Sequence, residues 1–200
     1  MELRPQASAQ KREQIYQAAV VEFQEKGFSD ASMDRISARA GVSKRTVYKY
    51  YESKEKLFQE LLCRHWGRFA ASLDVVYDKD RDIRDQLTAL GRAEGALLTN
   101  PDVMAMTRLV MSEVLRSPEL VGENEEKTDF QAAFETMLRE ADADGVLEIE
   151  DPKVAAEEFI ALIKGKAFWP VVFGAAIVTA AEMEKIVESS VEMIICRYGV

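Results

Sequence analysis

The sequence has few of the residues that build disulfide frameworks or metal sites. It contains two cysteines and one histidine in 200 residues. Cys63 and Cys196 are far apart in the chain, and a single histidine, His65, cannot complete a metal site with them. We therefore predict free thiols in a reducing compartment, with the cytoplasm as the expected location and no metal or other cofactor.

Long apolar runs are also missing. The longest candidate, residues 167–181, is interrupted by Pro170 and Gly174 and is shorter than the ~18 residues expected of a membrane-spanning helix. The first residues, MELRPQASAQKRE, lack the apolar centre of a signal peptide. We expect no membrane partner.

Signals for β-structure and for catalysis are scarce. No Asn-Gly or Asp-Gly turn separates two alternating runs, and Asp144-Gly145 follows a helical pattern. The chain has no H-E-x-x-H, no P-loop, no GxGxxG and no recognisable pair of nucleophile and base. These absences argue against an enzyme.

Negative charge dominates, but it is unevenly distributed. The net charge is −9. Residues 1–62 hold 11 Lys and Arg against 9 Asp and Glu (+2), whereas residues 63–200 hold 15 against 26 (−11). Within residues 35–56 there are seven basic and two acidic residues. The total charge disfavours a nonspecific polyanion binder, while the local excess allows one patch that contacts phosphates.

Helix signals are present throughout. Capping residues precede a proline at Asn100, Ser117 and Asp151, and Thr179 with Glu182 forms a T-x-x-E capping box. Gly27 and Gly145 follow helical patterns as left-handed caps. We predict an all-α fold of nine helices, the seventh of them open to a break at the acidic residues 122–129. The helices lie near residues 8–26, 32–40, 43–50, 53–77, 82–98, 101–116, 118–144, 152–173 and 179–198.

The second and third helices have the spacing of a helix-turn-helix. Ser32 and Ser43 are placed to cap them, and Gly41 lies in the short turn between them. In the third helix, Val47 and Tyr51 are four residues apart and predicted to face the core. The outer face then carries Lys44, Arg45, Tyr48 and Lys49, together with Thr46. Lysine and arginine donate to guanine, and threonine offers a methyl group to thymine or a hydroxyl to phosphate.

The same stretch resembles the TetR family of bacterial repressors. The resemblance rests on EQIYQAAVVEFQEKGF and SMDRISARAGVSKRTVYKYYESKEKLF and covers about residues 8–62. The chain departs mildly from the family motif, with Ser32 for threonine, Ser37 for alanine, Tyr50 in the usual histidine place and Tyr51 for phenylalanine. The family implies a homodimer that binds double-stranded DNA.

The resemblance also implies roles for individual residues. The major-groove contacts fall on Lys44, Arg45 and Thr46 after the cap Ser43, and Lys49 lies near DNA. The phosphate contacts fall on Ser32, Tyr48, Tyr50 and Lys54. A lysine at the start of a helix is unfavourable for the helix dipole, so an anion docking at Lys54 would relieve it. Asp34 lies close to this surface, where it either repels phosphate or accepts from cytosine N4.

The resemblance divides the chain into a DNA-binding domain over residues 1–52, with an arm at 1–8, and a helical effector-binding and dimerisation domain over 53–200. An adaptable pocket needs apolar walls and a few polar groups. Pocket candidates are Trp66, Phe69, Met104, Arg108, Met111, Met137, Phe168 and Trp169. Two amphipathic helices near the end of the chain can pair with their two-fold mates. Dimer candidates are Phe159, Ile163, Met183, Ile186, Val187 and Ile194.

The function these features favour is a ligand-responsive transcriptional repressor in the cytoplasm, associated with the nucleoid. It would bind a palindromic operator as a homodimer and be released by a small-molecule effector. Two alternatives remain open: a helical enzyme or carrier whose basic strip binds a phosphorylated metabolite, and a protein-interaction module without sequence-specific DNA binding.

Overall fold

The computed structural model describes residues 3–71, 75–121 and 130–200. These residues form ten α-helices and one 3-10 helix, and no strand occurs among them. The helices are α1 (Leu3–Asp30), α2 (Met33–Arg39), α3 (Lys44–Tyr50), α4 (Lys54–Ala71), α5 (Ile83–Leu98), α6 (Pro101–Arg116), a 3-10 helix (Pro118–Val121), α7 (Phe130–Ala143), α8 (Pro152–Ala167), α9 (Trp169–Val172) and α10 (Ala180–Tyr198).

The helix starts follow the capping chemistry of the sequence. Thr179 and Glu182 form the predicted capping box, each side chain bonded to the other residue's backbone N–H. The Asp151 carboxylate accepts from the backbone N–H groups of Lys153 and Val154, next to a proline in the first turn of α8. Gly27 has φ 73° and interrupts α1 where a helix end was predicted.

Two predicted helices are shorter than expected. The fourth is described as far as Ala71, and residues 75–77 at its predicted end are not helical. The predicted helix 152–173 is divided, because α8 stops at Ala167 and the short α9 begins at Trp169. Pro170 lacks an N–H, and in a continuous helix its ring would clash with the carbonyl group one turn earlier. The chain therefore forms a separate short helix at this point. The predicted break at 122–129 lies outside the described residues.

The chain forms two compact units. The first comprises residues 1–65 and 105–125. Its buried side chains include Ile15, Ala19 and Phe23 of α1 and Leu57, Phe58 and Leu61 of α4. Phe23 and Phe28 both pack against the Phe58 ring, with centroids 5.4 and 5.0 Å away. Burial of a phenylalanine side chain contributes roughly 1.5–3 kcal/mol, so the fully buried Phe23 and Phe58 stabilise the packing of α1 on α4.

The second unit comprises residues 66–104 and 126–200. Its core joins side chains of α5, α7, α8 and α10, including Phe134, whose ring centroid lies 5.4 Å from that of Phe159. Two glycines of α5 allow α10 to approach closely. A Cβ atom at Gly91 would lie 2.8 Å from a methyl group of Val187, and one at Gly95 would lie 2.7 Å from Cγ of Met183.

These units follow the packing of the backbone. They do not test the predicted functional boundary between residues 52 and 53, which stays a prediction. Across the described ranges, no helix combines the length and apolar character needed to cross a membrane.

Candidate nucleic-acid interface

The turn between α2 and α3 is fixed by local hydrogen bonds. Oγ of Ser32 accepts from the backbone N–H of Arg35, and Oγ of Ser43 accepts from that of Thr46, both at 3.2 Å. Gly41 has φ 64°, a conformation that glycine adopts at no steric cost. Both predicted caps are confirmed, and together they determine where α3 begins.

Helix α3 has one buried face and one exposed face. Val47 is completely buried and Tyr51 is 3% exposed, which confirms the predicted inner face. Lys44, Arg45 and Lys49 are exposed, and the Tyr48 ring is 43% exposed. The helix is therefore anchored from within and presents its basic side chains outward.

Thr46 and Tyr50 are less free than their neighbours. The Thr46 hydroxyl lies 2.8 Å from Oγ of Ser43, and the Tyr50 hydroxyl lies 3.1 Å from Oγ of Ser8 in α1. Both side chains are half-buried. Any contact of Thr46 or Tyr50 with DNA uses the remaining hydrogen-bonding capacity of these two hydroxyls. The side chain of Tyr48 is more exposed and less constrained.

Acidic residues in α1 and α2 form ion pairs with three of the nearby basic residues. Glu22, 1% exposed, accepts from Nε of Arg35 at 2.5 Å, and Glu25 pairs with Arg39 at 2.7 Å. Lys44 pairs with Asp34, with Nζ 2.7 Å from Oδ1, and this hydrogen bond raises the pKa of Lys44. No ion pair engages the other two cations of α3 within the described residues.

A charged network holds α1 to α4 behind α3. Glu60 of α4 accepts from Arg12, from Arg64 at 2.6 Å and from the Tyr51 hydroxyl at 3.1 Å. Burial pushes the pKa of Glu60 up, but the hydrogen bonds from the two guanidinium groups outweigh burial and leave the pKa below its ordinary value. Burial likewise raises the pKa of Tyr51. These contacts hold α1 and α4 together beneath α3.

Lys54 has hydrogen-bond partners within the chain. Its ammonium donates to the carbonyl oxygens of Phe28, Ser29 and Ala31, at 2.6, 3.0 and 3.2 Å, and lies 4.5 Å from the centroid of the Phe28 ring. These carbonyl groups account for all three donors of the ammonium, so a phosphate would have to replace one of them, and the phosphate contact stays a prediction. The charge of Lys54 is unfavourable for the dipole at the start of α4, and carbonyl groups of this chain offset that cost. Through the same contacts Lys54 stabilises the turn between α1 and α2.

The described pocket candidates lie in different surroundings. Met104, Met137 and Phe168 are buried in the core of the second unit, and Trp169 is 44% exposed. Arg108 is exposed and Met111 half-buried in the first unit. The side chains of Trp66 and Phe69 lie outside the description.

Met137 lines a cavity with a volume of about 110 Å³. Its walls come from α5, α7 and the segment before α5. The lining residues are Val75, Val76, Arg81, Gln86, Ala89, Leu90, Ala93 and Met137.

Most of the predicted dimer residues face the interior of the protomer. Five of the six are at most 5% exposed in the isolated chain: Phe159, Ile163, Met183, Val187 and Ile194. Side chains already buried between α5, α8 and α10 offer little surface to a partner, although Ile194 also lines the groove between α8 and α10. The dimer interface stays a prediction. Ile186 is half-buried and remains available.

Helices α8 and α10 also carry apolar residues on their outer faces. The groove between α8 and α10 has a volume of about 470 Å³. It is lined by Glu158, Ala161, Leu162, Met193, Ile194 and Arg197.

Both ends of the chain match known protein families. Residues 15–61 match the profile of bacterial regulatory proteins of the tetR family, and residues 85–200 match that of the AefR-like transcriptional repressor, C-terminal domain. The second match alone covers more than half of the chain. The protein belongs to the TetR family. The resemblance predicted from residues 8–62 is thereby confirmed, together with the all-α fold and the helix-turn-helix.

Solved structures of TetR-family proteins match almost the whole chain. A TetR family transcriptional regulator from Pseudomonas syringae pv. tomato str. DC3000 is 41% identical, with a TM-score of 0.82, over 96% of this chain and 98% of that one. The flavonoid-responsive regulator FrrA is 29% identical with a TM-score of 0.79, over the same shares of the two chains.

Among curated TetR-type proteins, the HTH-type transcriptional repressor SCO4008 of Streptomyces coelicolor is 36% identical over 84 residues. That match covers 42% of this chain and 44% of the repressor's length. Family membership therefore makes this chain a DNA-binding regulator of transcription.

Proposed function

We propose that the protein is a ligand-responsive repressor, which binds a palindromic operator as a homodimer and is released by a small molecule. The observation that carries this proposal is the exposed basic face of α3, held outward by the burial of Val47 and Tyr51. In a two-fold dimer, two such helices enter successive major grooves roughly 34–36 Å apart.

Within this proposal the roles of the α3 residues differ. Arg45 and Lys49 are the exposed cations without an acidic partner among the described residues, and we assign Arg45 to base edges because guanidinium groups pair with guanine in two-donor contacts. Thr46 contributes its methyl group, since its hydroxyl is bonded to Ser43. Tyr48 and the half-buried Ser32 and Tyr50 serve phosphates.

We assign the dimer interface to the outer faces of α8 and α10. In this groove Glu158 accepts from Arg197 at 3.3 Å and from the Tyr198 hydroxyl at 2.7 Å. Met193 is 45% exposed beside the small side chain of Ala161. A two-fold axis places the same charged pair and apolar residues opposite themselves, which suits an isologous four-helix contact.

We place the effector in the cavity beside Met137. Its walls combine the apolar residues Leu90, Ala93 and Met137 with the basic residue Arg81. At about 110 Å³ it is smaller than the ~300 Å³ or more of most ligand pockets, so effector binding must favour a conformation in which it is larger. Such a ligand shifts the DNA-binding equilibrium by its difference in affinity for the two conformations.

The test begins with selection of bound sites from random duplex DNA. Binding of the selected site is then measured for wild type, for Lys44→Ala/Arg45→Ala and for the matched control Lys153→Ala/Lys185→Ala, which removes the same charge from the second unit. We expect the first variant to lose operator binding while its dimerisation is unchanged, and the control to bind like wild type. Unchanged operator binding by the first variant would show that α3 is not the recognition helix.

Cytoplasmic location with the nucleoid follows from this proposal, because its target is chromosomal DNA. Compounds that release the selected site identify the effector. Met137→Trp, which fills the cavity, should leave DNA binding intact and abolish that release. Release by the same compound with undiminished potency would place the effector elsewhere.

A further inference from the structure

The ion pair between Lys44 and Asp34 joins the two helices of the helix-turn-helix on their exposed side. Lys44 is the first residue of α3, and Asp34 lies in the first turn of α2. Their charged atoms are 2.7 Å apart, yet the two side chains are 59% and 66% exposed. The pair is therefore accessible to a duplex that docks on this face.

The position of each partner explains why the pair forms. An aspartate in the first turn of α2 is favourable for the dipole of that helix, whereas a lysine at the start of α3 is unfavourable. The ammonium of Lys44 therefore gains from a nearby carboxylate, and Asp34 supplies it. The hydrogen bond to Asp34 also raises the pKa of Lys44.

The other cations near the turn are in different situations. The side chains of Arg35 and Arg39 are bonded to glutamates of α1, away from α3. Arg45 and Lys49 have no acidic partner in the part of the chain that the structure describes. Among the three cations of α3, Lys44 is thus the one whose contact with DNA requires it to leave, or to share, an existing carboxylate.

From this geometry we infer that Asp34 is a specificity-determining residue, which competes with DNA phosphates for the ammonium of Lys44 and so weakens nonspecific binding more than operator binding. The inference rests on the proposed function. At a random site, Lys44 exchanges one anionic oxygen for another and gains little. At the operator, it gains a positioned acceptor such as the O6 and N7 atoms of guanine, which random sequence does not place there.

A double-mutant cycle tests this competition. Binding of the selected operator and of a scrambled duplex is measured by fluorescence anisotropy at several salt concentrations. The proteins are wild type, Asp34→Asn, Lys44→Met and the double variant. Asp80→Asn, which removes the same charge from an exposed loop of the second unit, is the matched control, and thermal unfolding confirms that each variant is folded.

We expect Asp34→Asn to tighten binding of the scrambled duplex by about two- to fivefold, the range that an exposed ion pair accounts for. Operator affinity should change by less, so the ratio of the two affinities falls. The salt slope of nonspecific binding should steepen by about one, as one further cation becomes free for a phosphate. In the Lys44→Met background, Asp34→Asn should change neither affinity.

Other outcomes overturn the inference. An equal effect of Asp34→Asn with and without Lys44 would show that Asp34 repels the duplex directly. An equal gain at both duplexes, or a gain no larger than that of Asp80→Asn, would show that it does not govern specificity. A wild-type chain that selects no site would instead overturn the proposed function, and this inference with it.

Discussion

The carboxylate of Glu113 in α6 accepts a hydrogen bond from the backbone N–H of Phe28, at 3.1 Å and 85 residues away in the sequence. Gly27, immediately before it, would place a Cβ only 3.2 Å from the same carboxylate. The Glu113 side chain is 5% exposed. A buried carboxylate of α6 and the ammonium of Lys54 thus bind the same turn, one at an N–H and the other at carbonyl groups.

Replacement of Glu113 should destabilise the first unit. Glu113→Ala leaves the N–H of Phe28 without its acceptor, at a cost of about 1–3 kcal/mol, while Glu113→Gln keeps an acceptor and costs less. Urea denaturation gives both values, with the exposed Glu119→Ala as control. Equal stability of Glu113→Ala and the control would show that this hydrogen bond contributes nothing.

The same turn should be sensitive to Lys54 but insensitive to Lys56. Lys54→Met removes three hydrogen bonds to carbonyl oxygens and should lower the free energy of unfolding by about 2 kcal/mol, because hydrogen bonds to charged groups contribute about 1.5–3 kcal/mol. Lys56 is exposed in the same helical turn, so Lys56→Met should stay within about 0.5 kcal/mol of wild type. If instead Lys54→Met keeps full stability and loses DNA affinity, the phosphate role predicted from the sequence is correct.

A single methyl group should disturb the contact between α5 and α10. Gly91→Ala gains roughly 1 kcal/mol of helix propensity, but its Cβ would lie 2.8 Å from Val187, whose branched side chain cannot move away. We expect a net destabilisation of about 1–3 kcal/mol. The double variant Gly91→Ala/Val187→Ala should be more stable than the sum of the two single changes predicts. Additive effects would mean that the two side chains do not clash.

Glu94 should make stability depend on pH. Burial raises its pKa above the ordinary 4.5, although Lys164 at 3.7 Å opposes the shift. Between 4.5 and the raised value, the folded state holds a proton that the unfolded state has released, so the contribution of Glu94 to stability falls as pH rises through this window.

Glu94→Gln imitates the protonated form at every pH. Its stability relative to wild type should therefore grow as pH rises above 4.5 and become constant above the raised pKa. Denaturant titrations across this range measure the difference, and the exposed Glu148→Gln serves as control. A difference that does not vary with pH would contradict the buried, proton-linked state of Glu94.

Local chemistry accounts for what the sequence predicted well. Ser32, Ser43, Thr179 and Gly27 act on backbone groups within four residues, so a short stretch of sequence contains all the information. The period of Val47 and Tyr51 likewise fixes the inner face of α3.

Long-range contacts account for the rest. The partners of Lys54 lie 23–26 residues earlier, and that of Glu113 lies 85 residues earlier, with no signal in either neighbourhood. Helices α8 and α10 are apolar on two faces, so periodicity could not decide which face meets the protomer's own core and which is left for a partner. The sequence shows the charge of Asp34. Whether its carboxylate interacts with DNA or pairs with Lys44 depends on the distance between Asp34 and Lys44, which the sequence does not give.

The residues that hold α3 in place are different from the outward residues that are proposed to read the DNA sequence. Only Val47 among its seven residues is wholly enclosed, and Ser43 and Tyr51 hold its two ends from outside the helix. Evolution, or an engineer, is consequently free to exchange the outward positions for other side chains without rebuilding the scaffold. A library randomised at Arg45, Tyr48 and Lys49 should yield folded regulators with new DNA targets.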